Sequence, residues 1–180
     1  MIKIKRVCVF CGSKTGRNPA FATQARTLGK ALATNHIDLV YGGGSIGLMN
    51  VIADAVLSYG ASVHGVIPEH LMSHAHGNLT ALHVTDSMHE RKAMMAELSD
   101  AFIALPGGFG TFEELLETIT WVQLGLHEKP VLIFNMDGYY DLLVSFIDQA
   151  VDQGFITKQQ WSAIYVISTV DECLELLTSS

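Results

Sequence analysis

Two groups of residues in this sequence could do chemistry together: a glycine-rich stretch that leads into carboxylates, and a basic pair upstream of it. Gly107, Gly108 and Gly110 let the backbone turn freely and come close to a ligand. Thr111 stands three residues before Glu114, which is the spacing of a helix-capping box. Free backbone N–H groups and the positive end of a helix dipole would make this place suitable for a phosphate.

Carboxylates in the first turn of a phosphate-binding helix need an explanation, because they would repel the phosphate. We interpret Glu113 as a helix cap. For Glu114 we prefer a catalytic or sugar-contacting role, with capping alone as the alternative. Arg91 and Lys92 lie on a predicted buried helix, where adjacent side chains point about 100° apart, so one of them could face the glycine-rich stretch.

Segments with strand and helix patterns alternate along the whole chain, which predicts a parallel sheet with helices on both faces. Predicted strands cover residues 6–11, 37–41, 62–67, 81–85, 101–105, 130–135 and 165–168. Predicted helices cover residues 19–34, 46–59, 87–99, 139–152, 158–163 and 170–177, with one more beginning at Thr111. Residues 69–78 are expected to be irregular. The fold class is therefore α/β, a Rossmann-like doubly wound sheet, with residues 1–180 forming a single domain.

Ligands of such sheets bind at the carboxyl ends of the strands, where the strand order reverses. Ser13 follows the first predicted strand there, and the turn 42–45 follows the second. The spacing Gly42-x-Gly44-x-x-Gly47 matches the dinucleotide fingerprint in letters, but it follows the second strand and lacks the acidic residue at the expected place. We interpret this turn as backbone close to a ligand and expect no NAD or FAD.

Composition excludes several classes of protein. Hydrophobic residues make up 49% of the 180-residue chain and charged residues 16%, which indicates a compact globular protein. The net charge of −7 argues against a nucleic-acid surface, and no apolar run is long enough for a membrane span. Without a signal-peptide pattern at the start, we expect a cytoplasmic location.

Cysteines and histidines do not form a convincing metal or redox motif. Cys8 and Cys11 form a Cys-x-x-Cys spacing, but it lies on a predicted strand with no second copy, so we expect a buried reduced pair. The histidines of residues 70–76 are close in sequence, yet no carboxylate is regularly spaced with them. We expect no metal and no cofactor.

The stretch Pro106-Gly-Gly-Phe-Gly-Thr-Phe-Glu-Glu114 resembles the PGGxGTxxE motif of the Lonely Guy (LOG) family. These proteins are cytokinin riboside 5′-monophosphate phosphoribohydrolases, often mislabelled lysine decarboxylases. Other segments resemble the family in the same order: Cys8-Val-Phe-Cys-Gly-Ser13, Tyr41-Gly-Gly-Gly-Ser-Ile-Gly-Leu-Met49, Asp86-Ser-Met-His-Glu-Arg-Lys92 and Leu124-Gly-Leu-His-Glu-Lys-Pro130. The resemblance is closest to short bacterial members. It departs at residues 73–76, where many members have Glu, and at Asn50, where Gly is usual.

The resemblance implies a Rossmann-like homodimer, with its site near the subunit interface, that hydrolyses the N-glycosidic bond of N6-modified adenosine 5′-monophosphates and of AMP. By position, Arg91 and Glu114 match the family's paired catalytic residues. The positions that match its nucleotide-contacting set are Lys92, Gly107, Gly108, Gly110, Thr111 and Thr120. From the flanking turns and the start of the basic helix we add Ser13, Gly43, Gly44, Ser45 and Met88.

Two other classes of function stay open on the residues alone. A lysine decarboxylase would need pyridoxal phosphate on a lysine, and neither Lys92 nor Lys129 stands in a supporting motif. A nucleotide-binding or carrier module, like a molybdenum-cofactor carrier of similar fold, would bind AMP without turnover. The pairing of Arg91 with Glu114 argues against such a carrier.

Overall fold

A seven-stranded parallel sheet forms the centre of the computed structural model, which describes residues 4–179. The strand order is β4-β3-β2-β1-β5-β6-β7, and every pairing is parallel. The strands are β1 Arg6–Phe10, β2 Asp38–Tyr41, β3 Val63–Pro68, β4 Ala81–Thr85, β5 Ala101–Ala104, β6 Val131–Phe134 and β7 Ile164–Ile167. The predicted α/β, Rossmann-like doubly wound fold is confirmed.

Helices cover both faces of this sheet, so its central strands are buried on both sides. They are α1 Pro19–Thr34, α2 Gly47–Ser58, α3 Met88–Glu97, α4 Phe109–Gln123, α5 Asp141–Asp152, α6 Lys158–Ser162 and α7 Val170–Thr178. Side chains of α1, α2 and α7 pack in one hydrophobic core, and those of α3 to α6 pack in the other. Alternation along β1 explains the division, since Val7 and Val9 enter the first core while Cys8 and Phe10 enter the second.

Two local expectations were wrong. The helix α4 is capped by Gly108 and begins at Phe109, so Thr111 lies inside its first turn and forms no capping box with Glu114. Residues Glu69–His74 form a 3₁₀ helix instead of irregular chain. Helix α4 therefore begins at the glycine turn that follows β5. Glycine has no side chain, so no side-chain hydrogen bond caps this helix.

The strand order reverses between β1 and β5, which are neighbours in the sheet although α1 to α3 separate them in sequence. The turns after these two strands meet at the carboxyl edge, where the Gly12 backbone N–H donates to the Pro106 carbonyl at 3.0 Å. A crevice at such a reversal is the usual ligand site of an open α/β sheet. None of the helices between residues 4 and 179 combines the length and hydropathy that a membrane span requires.

Candidate active site

A buried ion pair joins α3 to α4 beside the strand-order reversal. The Arg91 Nη1 atom lies 3.1 Å from Glu114 Oε1, and both side chains are about nine-tenths buried. Arg91 is oriented by two further bonds, since its Nε donates to the Val66 carbonyl at 2.9 Å and its Nη2 to the Gly42 carbonyl at 3.4 Å. A guanidinium with this many fixed partners is a rigid group, so the position of the Glu114 carboxylate is also well defined.

The absence of a side chain at Gly42 makes room for this guanidinium. A Cβ atom at Gly42 would lie 2.2 Å from Arg91 Nη2, far inside van der Waals contact. Met88 also contacts the guanidinium, since its Sδ atom lies 4.0 Å from Arg91 Nη1. The first glycine of the turn after β2 therefore admits the basic side chain of α3 to the sheet edge.

Burial is the largest influence on the Glu114 carboxyl and raises its pKa to about 7. The neighbouring Glu113 raises the pKa further, whereas Arg91 and Lys92 lower it. Burial and the Arg91 charge therefore shift the Glu114 pKa in opposite directions, and burial has the larger effect. A carboxyl with a pKa near neutrality can exchange a proton at the pH of the cell, as a general acid or base must.

The glycine-rich turn after β5 leads into α4 with a tight contact between Gly107 and Thr111. A Cβ atom at Gly107 would lie 2.1 Å from the Thr111 Oγ1 atom, so only glycine fits beneath this threonine. Among residues 4–179, the backbone N–H groups of Gly107 and Gly108 have no hydrogen-bond acceptor. With the N-terminus of α4 they form a place where an anion would be bound.

Two adjoining cavities open at this edge of the sheet. The cavity of about 370 Å³ contains the ion pair, and its other wall is the start of α4. Its lining includes Cys11, Ser13, Gly42, Met49, Leu71, Arg91, Phe109, Gly110, Thr111 and Glu114. The second cavity, of about 330 Å³, is lined by the turn 12–16 together with Phe21, Leu48, Pro106, Gly107 and Tyr139. Ser13 and Gly108 border both, so a ligand with two parts could occupy the cavities together.

Two predicted binding residues lie away from these cavities. The buried Lys92 side chain points toward α4, where its Nζ is hydrogen-bonded to Glu113 and lies 2.8 Å from Glu117 Oε2. Glu113 therefore pairs with Lys92. Our expectation that Glu113 caps the helix was wrong. Thr120 lies in the last turns of α4, and its exposed hydroxyl donates to the Leu116 carbonyl at 2.7 Å.

The predicted residues of the second glycine turn line neither cavity but hold a neighbouring segment in place. The Gly43 carbonyl accepts the His76 N–H at 2.9 Å, Gly44 forms a β-bridge with Ala75, and the Ser45 N–H donates to the His74 carbonyl at 3.0 Å. The 3₁₀ helix Glu69–His74 is thereby fixed beside the turn and contributes Leu71 to the larger cavity.

His76 anchors the end of that segment. Its Nδ1 accepts the Asn78 N–H at 3.2 Å, so the ring proton is assigned to Nε2, which donates to Asp54 at 3.0 Å. Asp54 also accepts a bond of 2.7 Å from Asn50, the residue that departs from the family's usual glycine. Within residues 4–179, no three His, Cys, Asp or Glu side chains come close enough together to hold a metal ion.

Cys8 and Cys11 are both buried free thiols, as the sequence predicted. Burial raises the pKa of each thiol well above its ordinary value, so neither is an activated nucleophile.

Sequence reasoning missed several residues that line or support the site. Leu71 and Met49 complete the larger cavity, and Phe109, exposed over 91% of its surface, forms its rim. Tyr139 belongs to the second cavity, where its hydroxyl donates to the Gly107 carbonyl. The position of Phe109 between two motif glycines was a usable signal, whereas nothing local to Leu71 or Tyr139 indicated proximity to residues far away in sequence.

Comparisons with known proteins agree over nearly the full chain. A family model described as possible lysine decarboxylase matches residues 49–177. A cytokinin riboside 5′-monophosphate phosphoribohydrolase of Arabidopsis thaliana is 50% identical over 177 residues, which cover 97% of this chain and 82% of the relative. A second phosphoribohydrolase from the same plant is 52% identical over 177 residues, again covering 97% of this chain and 82% of the relative. A probable one from Oryza sativa subsp. japonica is 51% identical, covering 97% of this chain and 72% of the relative.

Solved structures with a similar fold are more distant in sequence. The molybdenum cofactor binding protein of Rippkaea orientalis superposes with a TM-score of 0.75 at 23% identity, covering 99% of this chain and 98% of that one. The molybdenum cofactor carrier protein of Chlamydomonas reinhardtii gives a TM-score of 0.73 at 20% identity, covering 99% and 100%. At this identity the similarity establishes the fold alone.

Proposed function

The chain belongs to the Lonely Guy family of cytokinin riboside 5′-monophosphate phosphoribohydrolases, and on that premise we propose that it hydrolyses adenosine 5′-monophosphates at the N-glycosidic bond. Its substrates would be N6-modified nucleotides such as cytokinin riboside 5′-monophosphate, and AMP. Water adds to C1′ as the bond from C1′ to the base breaks, and the products are free base and ribose 5-phosphate. The observation that best supports the proposal is the buried Arg91–Glu114 pair beside an anion-binding turn.

The 5′-phosphate would bind at the start of α4. The unpaired N–H groups of Gly107 and Gly108 and the positive end of the helix dipole favour a phosphate there. Gly110 and Thr111 lie in the first turn of the same helix, and Ser13 borders the place from the turn after β1. Binding the phosphate here would put the ribose over the cavity that contains Glu114.

Glu114 would act at the ribose. Breaking an N-glycosidic bond builds positive charge on the sugar, and a nearby carboxylate stabilises that charge or draws a proton from the attacking water. Its pKa of about 7 makes both the ionised form and the protonated form available at neutral pH. The cavity shields the carboxylate from bulk water, which strengthens its attraction to the developing cation.

Arg91 would position this carboxylate and contact the nucleotide. Its bonds to Val66 and Gly42 fix the guanidinium independently of Glu114, so the carboxylate is held against a rigid partner. The same positive charge lowers the Glu114 pKa and so favours the ionised form that stabilises the cation.

We further propose a homodimer whose interface lies near this site. Phe109 at the cavity rim is 91% exposed, and Leu142 and Phe146 on α5 are 86% and 67% exposed. Leu142 and Phe146 stand four residues apart on α5 and so form one exposed apolar strip, and such a strip is typical of a contact surface. Light scattering coupled to gel filtration would give twice the chain mass of 19.6 kDa, and a monomer at micromolar concentration would contradict the proposal.

A cytoplasmic location is proposed as well. The substrate is a nucleotide, and Cys8, Cys11 and Cys173 are unpaired thiols, as expected in a reducing compartment.

The test is chromatography of the purified protein after incubation with AMP or isopentenyladenosine monophosphate. The expected result is release of adenine or isopentenyladenine together with ribose 5-phosphate. The Glu114→Gln variant, which keeps the side-chain size, should fold with an unchanged circular dichroism spectrum and lose most of the turnover. Unchanged turnover in that variant would remove Glu114 from the mechanism.

The two other functional classes give different results in the same assay. A carrier would bind AMP in a calorimeter but release no base. A decarboxylase would show the absorbance of a pyridoxal phosphate imine on lysine. Neither candidate lysine offers a free amine, because Lys92 pairs with two glutamates and the Lys129 Nζ donates to the Ala96 carbonyl at 2.7 Å.

A further inference from the structure

The loop between β6 and α5 presents two adjacent tyrosines to the glycine-rich turn, and each hydroxyl donates to one of its backbone carbonyls. Tyr139 donates to the Gly107 carbonyl. Tyr140, which is fully buried, donates to the Leu105 carbonyl at 2.7 Å.

The two bonds have different consequences for the amide groups of the turn. In a trans peptide the C=O and the following N–H point in opposite directions, so fixing the Gly107 carbonyl also fixes the Gly108 N–H. The Leu105 carbonyl precedes Pro106, which has no N–H to orient. The Tyr139 bond therefore controls a donor of the anion site, whereas the Tyr140 bond secures the chain just before it.

A second bond of the same kind orients the preceding donor. The Pro106 carbonyl accepts the Gly12 N–H at 3.0 Å, which directs the Gly107 N–H away from the β1 turn. Two consecutive carbonyls are thus engaged by hydrogen bonds within the protein, and the amide donors of Gly107 and Gly108 point away from those partners. Because glycine can adopt more backbone conformations than any other residue, these two hydrogen bonds are needed to fix the direction of the peptide groups.

Packing keeps Tyr139 in the orientation that this requires. Its ring meets the Phe21 ring edge-on at 5.6 Å and the Tyr140 ring at 4.9 Å, measured between centroids. The backbone beside it is fixed because Asn135 Oδ1 accepts the Tyr140 N–H at 2.7 Å. Tyr139 lines the second cavity but not the one with the ion pair, whereas Gly108 borders both, so its N–H, which points away from Tyr139, is available to a ligand in the cavity with the ion pair.

We propose that Tyr139 is a positioning residue, whose hydroxyl holds the Gly107–Gly108 peptide so that the Gly108 N–H is preorganised for the 5′-phosphate of the substrate. The inference rests on the proposed function insofar as it takes the start of α4 as the phosphate site. It assigns Tyr139 no contact with the reacting atoms.

The test compares Tyr139→Phe with the matched control Tyr140→Phe, because each variant removes one hydroxyl that donates to a carbonyl of the same turn. Calorimetry with ribose 5-phosphate measures phosphate affinity without turnover. Tyr139→Phe should weaken binding about fivefold to tenfold, the size expected from the loss of one net hydrogen bond. Tyr140→Phe should lower the melting temperature yet leave this affinity within twofold of the parent protein.

Steady-state kinetics with AMP gives a second readout that a general loss of stability would not produce. The Tyr139→Phe variant should raise KM by the same factor with little change in kcat, since the lost preorganisation concerns the phosphate in ground state and transition state alike. Equal losses of affinity in both variants, or no loss in Tyr139→Phe, would overturn the inference.

Failure of the hydrolase proposal would be recognised separately. If the parent protein binds ribose 5-phosphate but releases no base from AMP, the proposed reaction is wrong, and the calorimetric comparison still decides the role of Tyr139. If the parent protein binds no ribose 5-phosphate, the phosphate site and the inference fall together.

Discussion

Replacing Gly42 by alanine should disable the site without unfolding the protein. The new Cβ would lie 2.2 Å from Arg91 Nη2, and ordinary contact begins at 3.4 Å, so the guanidinium must retreat by about 1 Å. The backbone of Gly42 does not have a positive φ, so alanine is not strained there. The displaced atoms are the far end of a long side chain, so the protein should still fold, with a melting temperature lowered by the disturbed buried ion pair.

The retreat would break the geometry on which the ion pair depends. Arg91 cannot move by about 1 Å and keep both its 3.1 Å bond to Glu114 and its 2.9 Å bond to Val66. A misplacement of this size at a catalytic group costs on the order of a hundredfold in rate. We expect kcat/KM for base release from AMP to fall by that factor, measured by chromatography at a fixed time.

The control is Gly77→Ala in the segment that packs beside the same turn. A Cβ atom there meets no atom within 4 Å, and the backbone φ is not positive, so activity and stability should match those of the parent. If Gly42→Ala keeps full activity while folding normally, the fixed Arg91–Glu114 geometry is not needed for turnover, and the mechanism derived from it is wrong.

Three other perturbations test separate parts of the structure. Because burial raises the Glu114 pKa to about 7 and the reaction uses the carboxylate, kcat/KM should fall tenfold per unit as the pH decreases below 7; a profile flat to pH 5 would contradict this. Lys92→Met should cost about 1 kcal/mol of unfolding free energy in urea, since its partner Glu117 is partly solvated, and should leave KM for AMP unchanged; a tenfold rise in KM would instead indicate the nucleotide contact that family resemblance implies. His76→Ala should cost about 1–2 kcal/mol and raise KM, because the bond to Asp54 holds the segment that contributes to the cavity; an unchanged KM would confine this histidine to stability.

Much of the fold followed from local pattern. Strand β4 and helix α1 have the predicted bounds, because a short strand-like segment and a helix with Pro at its first position are read from neighbouring residues alone. The glycine turn after β5 was also placed correctly. Its helix was not, because the Thr111–Glu114 spacing that resembles a capping box serves other contacts here.

Side-chain direction was decided by the tertiary structure. Helix spacing indicated that Arg91 and Lys92 diverge, but either could have faced the site; the missing side chain of Gly42 and the carbonyl of Val66 select Arg91. Lys92 turns toward α4 because Glu113 and Glu117 lie on that helix.

Reading the sequence was enough to predict the alternation of strands and helices, the glycine turns at one edge of the sheet and, through family resemblance, the pairing of Arg91 with Glu114. The folded protein was needed to find that Glu114 is buried with a pKa near neutrality, that Leu71 reaches the cavity and that Tyr139 donates to the Gly107 carbonyl. The reason is physical. Periodicity and capping depend on residues a few positions apart, whereas desolvation and these contacts depend on groups that the chain brings together from more than twenty residues away.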